Sequence, residues 1–166
     1  MDERLAPPSM LRSVTTGIGA GIGATLMMSL LMVAADRFGL MGQHPPSKIS
    51  DRILDAVSPF HSSEETDAVG TVIHFGLGAM LGAVFATFRR LIPAFRIPGA
   101  GVVYALAVWA SSYAGLLPAL GVMPPPDRDR PGRQPAMIAA HVVFGLALGV
   151  LTRGVARGRE ARPPAA

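Results

Sequence analysis

Two histidines, His74 and His141, stand in long apolar stretches of the sequence and are the residues there best suited to chemistry. Each begins the same pattern at the same spacing, which is completed by Gly78, Leu81 and Gly82 in one stretch and by Gly145, Leu148 and Gly149 in the other. An imidazole is a common ligand of haem and metal ions, and inside a membrane it also hydrogen-bonds neighbouring helices or passes protons. The pattern therefore indicates a functional or interhelical role for this pair.

Three interpretations of the two histidines follow from this chemistry, and the favoured one is structural. Each imidazole would then hydrogen-bond a neighbouring helix, a bond that contributes about 0.6 kcal/mol in membrane proteins. The available polar partners lie on one segment and are Tyr104, Trp109, Ser111, Ser112 and Tyr113. The alternatives are bis-histidine ligation of haem or a metal between two helices, and a polar path for a proton or solute. A copper site of Met137 with His141 is a weaker alternative.

No catalytic residue, metal site or cofactor is predicted. The chain has no cysteine, which excludes disulfides, thiolate metal sites and cysteine nucleophiles. No Asp or Glu lies in the stretches that carry the histidines, so a carboxylate-based scheme of proton coupling has no groups to use. Ser111 and Ser112 lack the strand-to-helix context of a nucleophile elbow. We expect a protein that is not an enzyme.

The elements that hold these residues are predicted from the distribution of charge. Half of the chain is hydrophobic and 16% is charged, below the quarter or so that is typical of soluble domains. The charged residues avoid four windows, 13–35, 68–88, 97–126 and 134–152. Each window is about 20 residues or longer, which suffices for a helix to cross a bilayer. Alternating polarity, as in barrel strands, is absent, and the fold class is therefore an all-α integral membrane four-helix bundle.

The predicted organisation has a cytoplasmic tail over 1–12, a membrane domain over 13–153 and a disordered basic tail over 154–166. The four spans are placed at about 14–35, 69–88, 99–120 and 135–152. The N-terminal tail, the 89–96 loop and the C-terminal tail carry nine Lys and Arg, whereas the two other loops carry six together with eight acidic residues. By the positive-inside rule, both termini are predicted to lie in the cytoplasm.

The two outer loops differ in character. In the first, Ile49, Ile53 and Val57 recur every four residues, which predicts a short amphipathic helix over 45–57 that lies on the membrane surface or caps the bundle. The second, 124–135, is rich in proline and alternates Asp with Arg. This pattern predicts a solvated turn.

The histidine pattern extends backwards into a longer repeat. "GQHPP" (42–46) and "GVMPP" (121–125) share G-x-x-P-P near the end of the preceding span. Each half then consists of a helix, a G-x-x-P-P turn, an outer loop and a histidine helix. Such internal symmetry is a known way to build membrane proteins. Two parallel-repeat helical hairpins are predicted, related by a pseudo-twofold axis along the membrane normal, with both histidines roughly 9 Å inside the outer boundary.

Small residues at four-residue spacing predict close helix packing. The glycines concerned are Gly17, Gly21, Gly78, Gly82, Gly145 and Gly149. The predicted partner is the lipid bilayer, and a homodimer or another membrane protein stays open as a further partner. No nucleic acid is predicted, because the arginines behind the net charge of +4 flank the apolar spans.

The glycine-rich first span, "PP-SKI", "HFGLGAMLGAVF" and "HVVFGLALGVL" resemble small bacterial inner-membrane proteins of unknown function, which include YagU-like and related four-helix families. The resemblance covers roughly 15–155 and implies a multi-pass protein of the bacterial inner (cytoplasmic) membrane. It carries no catalytic residue onto this chain. The predicted function is a non-enzymatic structural or accessory membrane component, and the alternatives are a small channel or transporter with a histidine-lined path or a haem-binding redox subunit.

Overall fold

The computed structural model describes residues 10–40, 45–57, 62–97, 99–129 and 131–160. Five helices account for most of this part of the chain. They are α1 (Met10–Arg37), α2 (Pro45–Val57), α3 (Ser63–Leu91), α4 (Ala100–Ala119) and α5 (Arg133–Glu160). No strand occurs among the residues described. The helix predicted over 45–57 is present as α2, whereas the preceding "GQHPP" turn and the extreme tails fall partly outside the described residues.

Four of the helices, α1, α3, α4 and α5, are long and apolar enough to cross a membrane. This confirms the prediction of an all-helical chain with four such segments. Large apolar side chains cover their outer faces, including Leu30, Val72, Val103 and Val150, each more than half exposed. Such a surface suits lipid, because soluble proteins rarely expose extended apolar patches.

Helices α1, α3 and α5 extend beyond their predicted spans, whereas α4 lies within its span. α3 begins at a capping box, in which the Ser62 hydroxyl accepts from the Glu65 backbone and the Glu65 carboxylate accepts from the Ser62 backbone. At its other end, the Arg96 guanidinium donates to the backbone oxygens of Arg89 and Arg90, which satisfies carbonyl groups that a helix end leaves open. α5 continues to Glu160, so the backbone is helical over the first half of the stretch predicted as a disordered tail.

Helix α1 packs against both α3 and α5, α4 packs against α5, and α2 packs against α3. α3 and α5 are not neighbours over their length. The end of the molecule where α3 ends and α4 begins is called the arginine end here, because Arg89, Arg96 and Arg153 lie there. The opposite end, with α2 and residues 120–133, is called the loop end.

Glycines form the closest helix contacts. A Cβ added to Gly21 would overlap the Gly78 carbonyl oxygen, and one added to Gly17 would overlap that of Gly82. These contacts join α1 to α3. A Cβ added to Gly101 would likewise overlap the carbonyl oxygen of Gly145, which joins α4 to α5. Backbones at this separation leave no room for any side chain.

Gly149 differs from the other glycines predicted to pack. A Cβ added there would meet no atom of the described residues within 4 Å. Its backbone still approaches α4, because its nitrogen lies 3.2 Å from the position of a Cβ on Gly101. The Cα of Gly149 therefore faces open space.

Candidate functional site

The two histidines occupy separate helices, α3 and α5, which are joined by Arg89 at the arginine end but share no extended contact among the described residues. His74 lies on α3, where its ring meets that of Phe75 edge-on, with the centroids 6.0 Å apart. His141 lies on α5, and its Nδ1 is 2.8 Å from the backbone oxygen of Met137, one turn earlier in the same helix. α1 packs against both of these helices. The hydrogen bond of His141 therefore lies within its own helix.

The four hydroxyl groups predicted as partners of the histidines donate to other acceptors. Ser111 and Ser112 donate to backbone oxygens of α4 itself, those of Ala107 and Trp109. Tyr104 donates to the backbone oxygen of Leu81 at 3.0 Å and thereby connects α4 to α3. Tyr113 donates to Asp129 Oδ2 at 2.6 Å. The tyrosines, rather than the serines, make contacts outside their own helix.

A metal centre has little support in the described part of the chain. It contains no group of three or more His, Cys, Asp or Glu residues that could hold a metal ion. Met137, which the copper alternative paired with His141, is buried in the apolar core and is one of the methionines that fill space between helices.

A buried ion pair lies at the loop end. Arg133 Nη1 donates to Asp129 Oδ1 at 2.7 Å, and the two side chains are 3% and 2% exposed. The prediction of a solvated turn is therefore wrong for these two residues. The prediction holds for their neighbours Asp127 and Arg128, whose side chains are 74% and 79% exposed. Because Tyr113 donates to the same carboxylate, the carboxylate is held by two elements and its charge is compensated.

Tyr113, which donates to the pair, is itself packed among aromatic and apolar side chains. Trp109 stacks on Tyr113 with ring centroids 5.5 Å apart and an interplanar angle of 19°. A π-helical turn, Ser112–Leu116, interrupts α4 at this point and changes the phase of the helix, as such turns do. Ile49 of α2 and the buried Met123 complete the cluster. The amphipathic helix α2 thus places its apolar residue Ile49 against the loop end of α4.

A pocket of about 200 Å³ lies at the arginine end, between α3, α4 and α5. Arg89 and Arg153 line it together with apolar residues and glycines, and none of the described residues that line it is Asp or Glu. Arg89 Nη1 donates to the backbone oxygen of Gly149 at 3.1 Å and to the hydroxyl of Thr152 at 2.6 Å. Both arginines mark the predicted orientation, which places 89–96 and the C-terminal tail on the same membrane side, but the pocket between them is not predicted by the sequence.

The candidate hydroxyls and the arginines of the pocket differ in whether they are available to a ligand. The candidate hydroxyls are engaged with backbone oxygens or with Asp129. The pocket at the arginine end, by contrast, offers cationic donors beside apolar walls. This combination suits the binding of an anionic group.

Comparison with known proteins gives one match. A family model described as "Family of unknown function (DUF6789)" matches residues 11–162. Neither the curated proteins nor the solved structures contain a match. The prediction of an uncharacterised family is thereby confirmed.

Proposed function

We propose, from the premise that the chain belongs to the DUF6789 family of unknown function, that it is a non-enzymatic multi-pass membrane protein with a structural or accessory role. One observation carries the proposal. Three polar side chains that reach out of their helices, Arg89, Tyr104 and Tyr113, donate hydrogen bonds to other parts of the protein.

Three contacts support this view. The Tyr104 hydroxyl connects α4 to α3 through the backbone oxygen of Leu81. The Arg89 guanidinium connects α3 to α5 at Thr152. Asp129 receives donors from α4 and α5 at the loop end. Interhelical hydrogen bonds contribute modestly in a membrane, so their role is to fix the relative positions of helices that glycine contacts hold together.

The proposal includes a place and an orientation. The protein lies in the bacterial inner membrane with both termini in the cytoplasm, as the distribution of Lys and Arg favours. It is built from two repeated hairpins. The equivalent contacts Gly21 to Gly78 and Gly101 to Gly145 support the repeat, since Gly78 and Gly145 correspond in it. The relation to YagU-like proteins and the lipid bilayer as partner, with a homodimer or another membrane protein, stay predictions, as does the absence of nucleic acid binding.

A visible absorption spectrum tests the role of the histidines. We expect the purified protein to show no Soret band, because His74 and His141 stand on helices that share no extended contact among the described residues. His141→Leu is expected to cost less than about 1 kcal/mol of stability, since its bond lies within one helix. A Soret band that disappears in His141→Leu would establish the haem-binding alternative. Loss of a solute flux at unchanged stability would establish the channel.

Reporter fusions test the orientation. We expect a reporter that is active in the cytoplasm to be active at the C-terminus and inactive when inserted at position 130, because the arginine end carries the excess of positive charge. A periplasmic reporter should give the reverse pattern. Periplasmic activity at the C-terminus would contradict the orientation and leave the fold unaffected.

A further inference from the structure

We propose that the pocket at the arginine end binds the headgroup phosphate of an anionic phospholipid. The inference goes beyond the proposed function and rests on its membrane location, but not on its non-enzymatic role, since an enzyme or a channel could hold such a lipid equally well. It rests on the charge of the pocket, its free hydrogen-bond donors and its apolar opening.

The charge of the pocket is positive and uncompensated by its own walls. Arg153 lies close enough to Arg89 for the two guanidinium groups to repel each other. No Asp or Glu is present in the sequence between Asp67 and Asp127, and the described residues that line the pocket include none. Two like charges beside an apolar wall are unfavourable, and an anion between them removes the repulsion.

The donors of the two arginines are suitably arranged for a phosphate. Among the described residues, the bonds of Arg89 use Nη1 and fix the guanidinium at the pocket wall, which leaves Nε and Nη2 for a ligand. Arg153 has no hydrogen bond or ion pair to any described residue. Arginine binds phosphate through parallel N–H donors, in charge-assisted bonds about twice as strong as neutral ones.

The opening of the pocket argues for a lipid rather than a soluble anion. Three of the apolar wall residues, Ile97, Leu146 and Val150, are more than half exposed and belong to the outer surface that a bilayer would cover. A ligand that fits has an anionic head between the arginines and an apolar tail along α5. Basic pockets between helices at the cytoplasmic face of a membrane are known to take anionic lipid headgroups.

Titration of the purified full-length protein in a non-ionic detergent tests the proposal. Phosphatidylglycerol, phosphatidylcholine and inorganic phosphate are added separately, and native mass spectrometry and the thermal midpoint report binding. We expect phosphatidylglycerol to bind about tenfold more tightly than phosphatidylcholine and to raise the midpoint, because only the former carries a net negative charge. Equal binding of the two lipids would overturn the proposal. A full effect of inorganic phosphate alone would overturn the assignment to a lipid.

Two variants locate the binding. Arg153→Gln should weaken phosphatidylglycerol binding about tenfold without loss of a contact inside the protein. Gly149→Leu should prevent binding while both arginines remain, because the new side chain enters open space that lines the pocket. Helix content by circular dichroism verifies that each variant folds. If Gly149→Leu does not fold, Arg153→Gln alone decides the outcome.

Arg90→Gln is the matched control. Arg90 neighbours Arg89 on the same helix and at the same membrane end but does not line the pocket. Its replacement removes the same charge from the arginine end. Binding should be unchanged in this variant. An equal loss in Arg90→Gln and Arg153→Gln would show general electrostatic attraction instead of a site, and the proposal would fail.

Discussion

Gly21→Ala is expected to destabilise the protein by roughly 1–3 kcal/mol, even though it adds a single methyl group. Alanine favours a helix by about 1 kcal/mol over glycine, so the loss must come from the contact between helices. The added Cβ would overlap the Gly78 carbonyl oxygen, and a backbone atom cannot rotate away as a side chain does. The thermal midpoint in detergent should fall by about 2–4 °C for each kcal/mol.

Two glycines on the same helices provide the controls. A Cβ at Gly19 of α1 or at Gly76 of α3 would meet no described atom within 4 Å. Gly19→Ala and Gly76→Ala therefore change helix propensity alone and should leave the midpoint equal or higher. Gly78→Ala should repeat the loss from the α3 side. If Gly21→Ala were as stable as Gly19→Ala, the close approach of α1 and α3 would be disproved.

Asp129→Asn is expected to lower the free energy of unfolding by about 3–5 kcal/mol, the usual result of removing one partner from a buried ion pair. The Arg133 guanidinium would remain at 3% exposure of its side chain with no compensating charge from Asp129. The Tyr113 hydroxyl would face an amide in place of the carboxylate that now accepts its bond. Thermal or denaturant unfolding of the purified protein measures the change.

Asp127→Asn is the matched control, because it makes the same chemical change two residues away in the same loop. Its partner Arg128 is 3.8 Å distant and both side chains are mostly exposed, so the effect should stay below about 1 kcal/mol. Replacing Asp129 and Arg133 together by apolar residues should recover much of the lost stability, since no unpaired charge remains. Equal effects of Asp127→Asn and Asp129→Asn would contradict the burial of the pair.

The helices could be predicted from the sequence because their causes are local. Charge-free windows as long as a bilayer is thick predict spans, and Ile49 and Ile53 at four-residue spacing predict α2, which forms over the same residues. The predicted orientation rests on counts of Lys and Arg, and the predicted repeat rests on the matching histidine and glycine patterns.

The site could not be predicted in the same way, because its causes are tertiary. Asp127 and Asp129 stand in the same Asp-Arg repeat, yet one is exposed and the other lies beneath Tyr113. The sequence spacing of Asp129 and Arg133 is that of a helical ion pair, but Asp129 precedes the helix. Arg89 and Arg153 are far apart in the chain and each is typical of a residue that anchors a span. Arg89 and Arg153 line one pocket only because α3 and α5 both pack against α1.

The position of α1 against both α3 and α5 has a consequence for biosynthesis. Membrane proteins are made from the N-terminus, and early segments fold before later ones exist. α1 can join α3 through its glycines as soon as the second span has been inserted. α4 meets its main partner only when α5, the last helix, has left the ribosome. Until then the nascent protein contains one packed pair, α1 with α3, and α4 without its main partner. The final helix then completes both sides at once, and the chain is assembled only after its last span is in place.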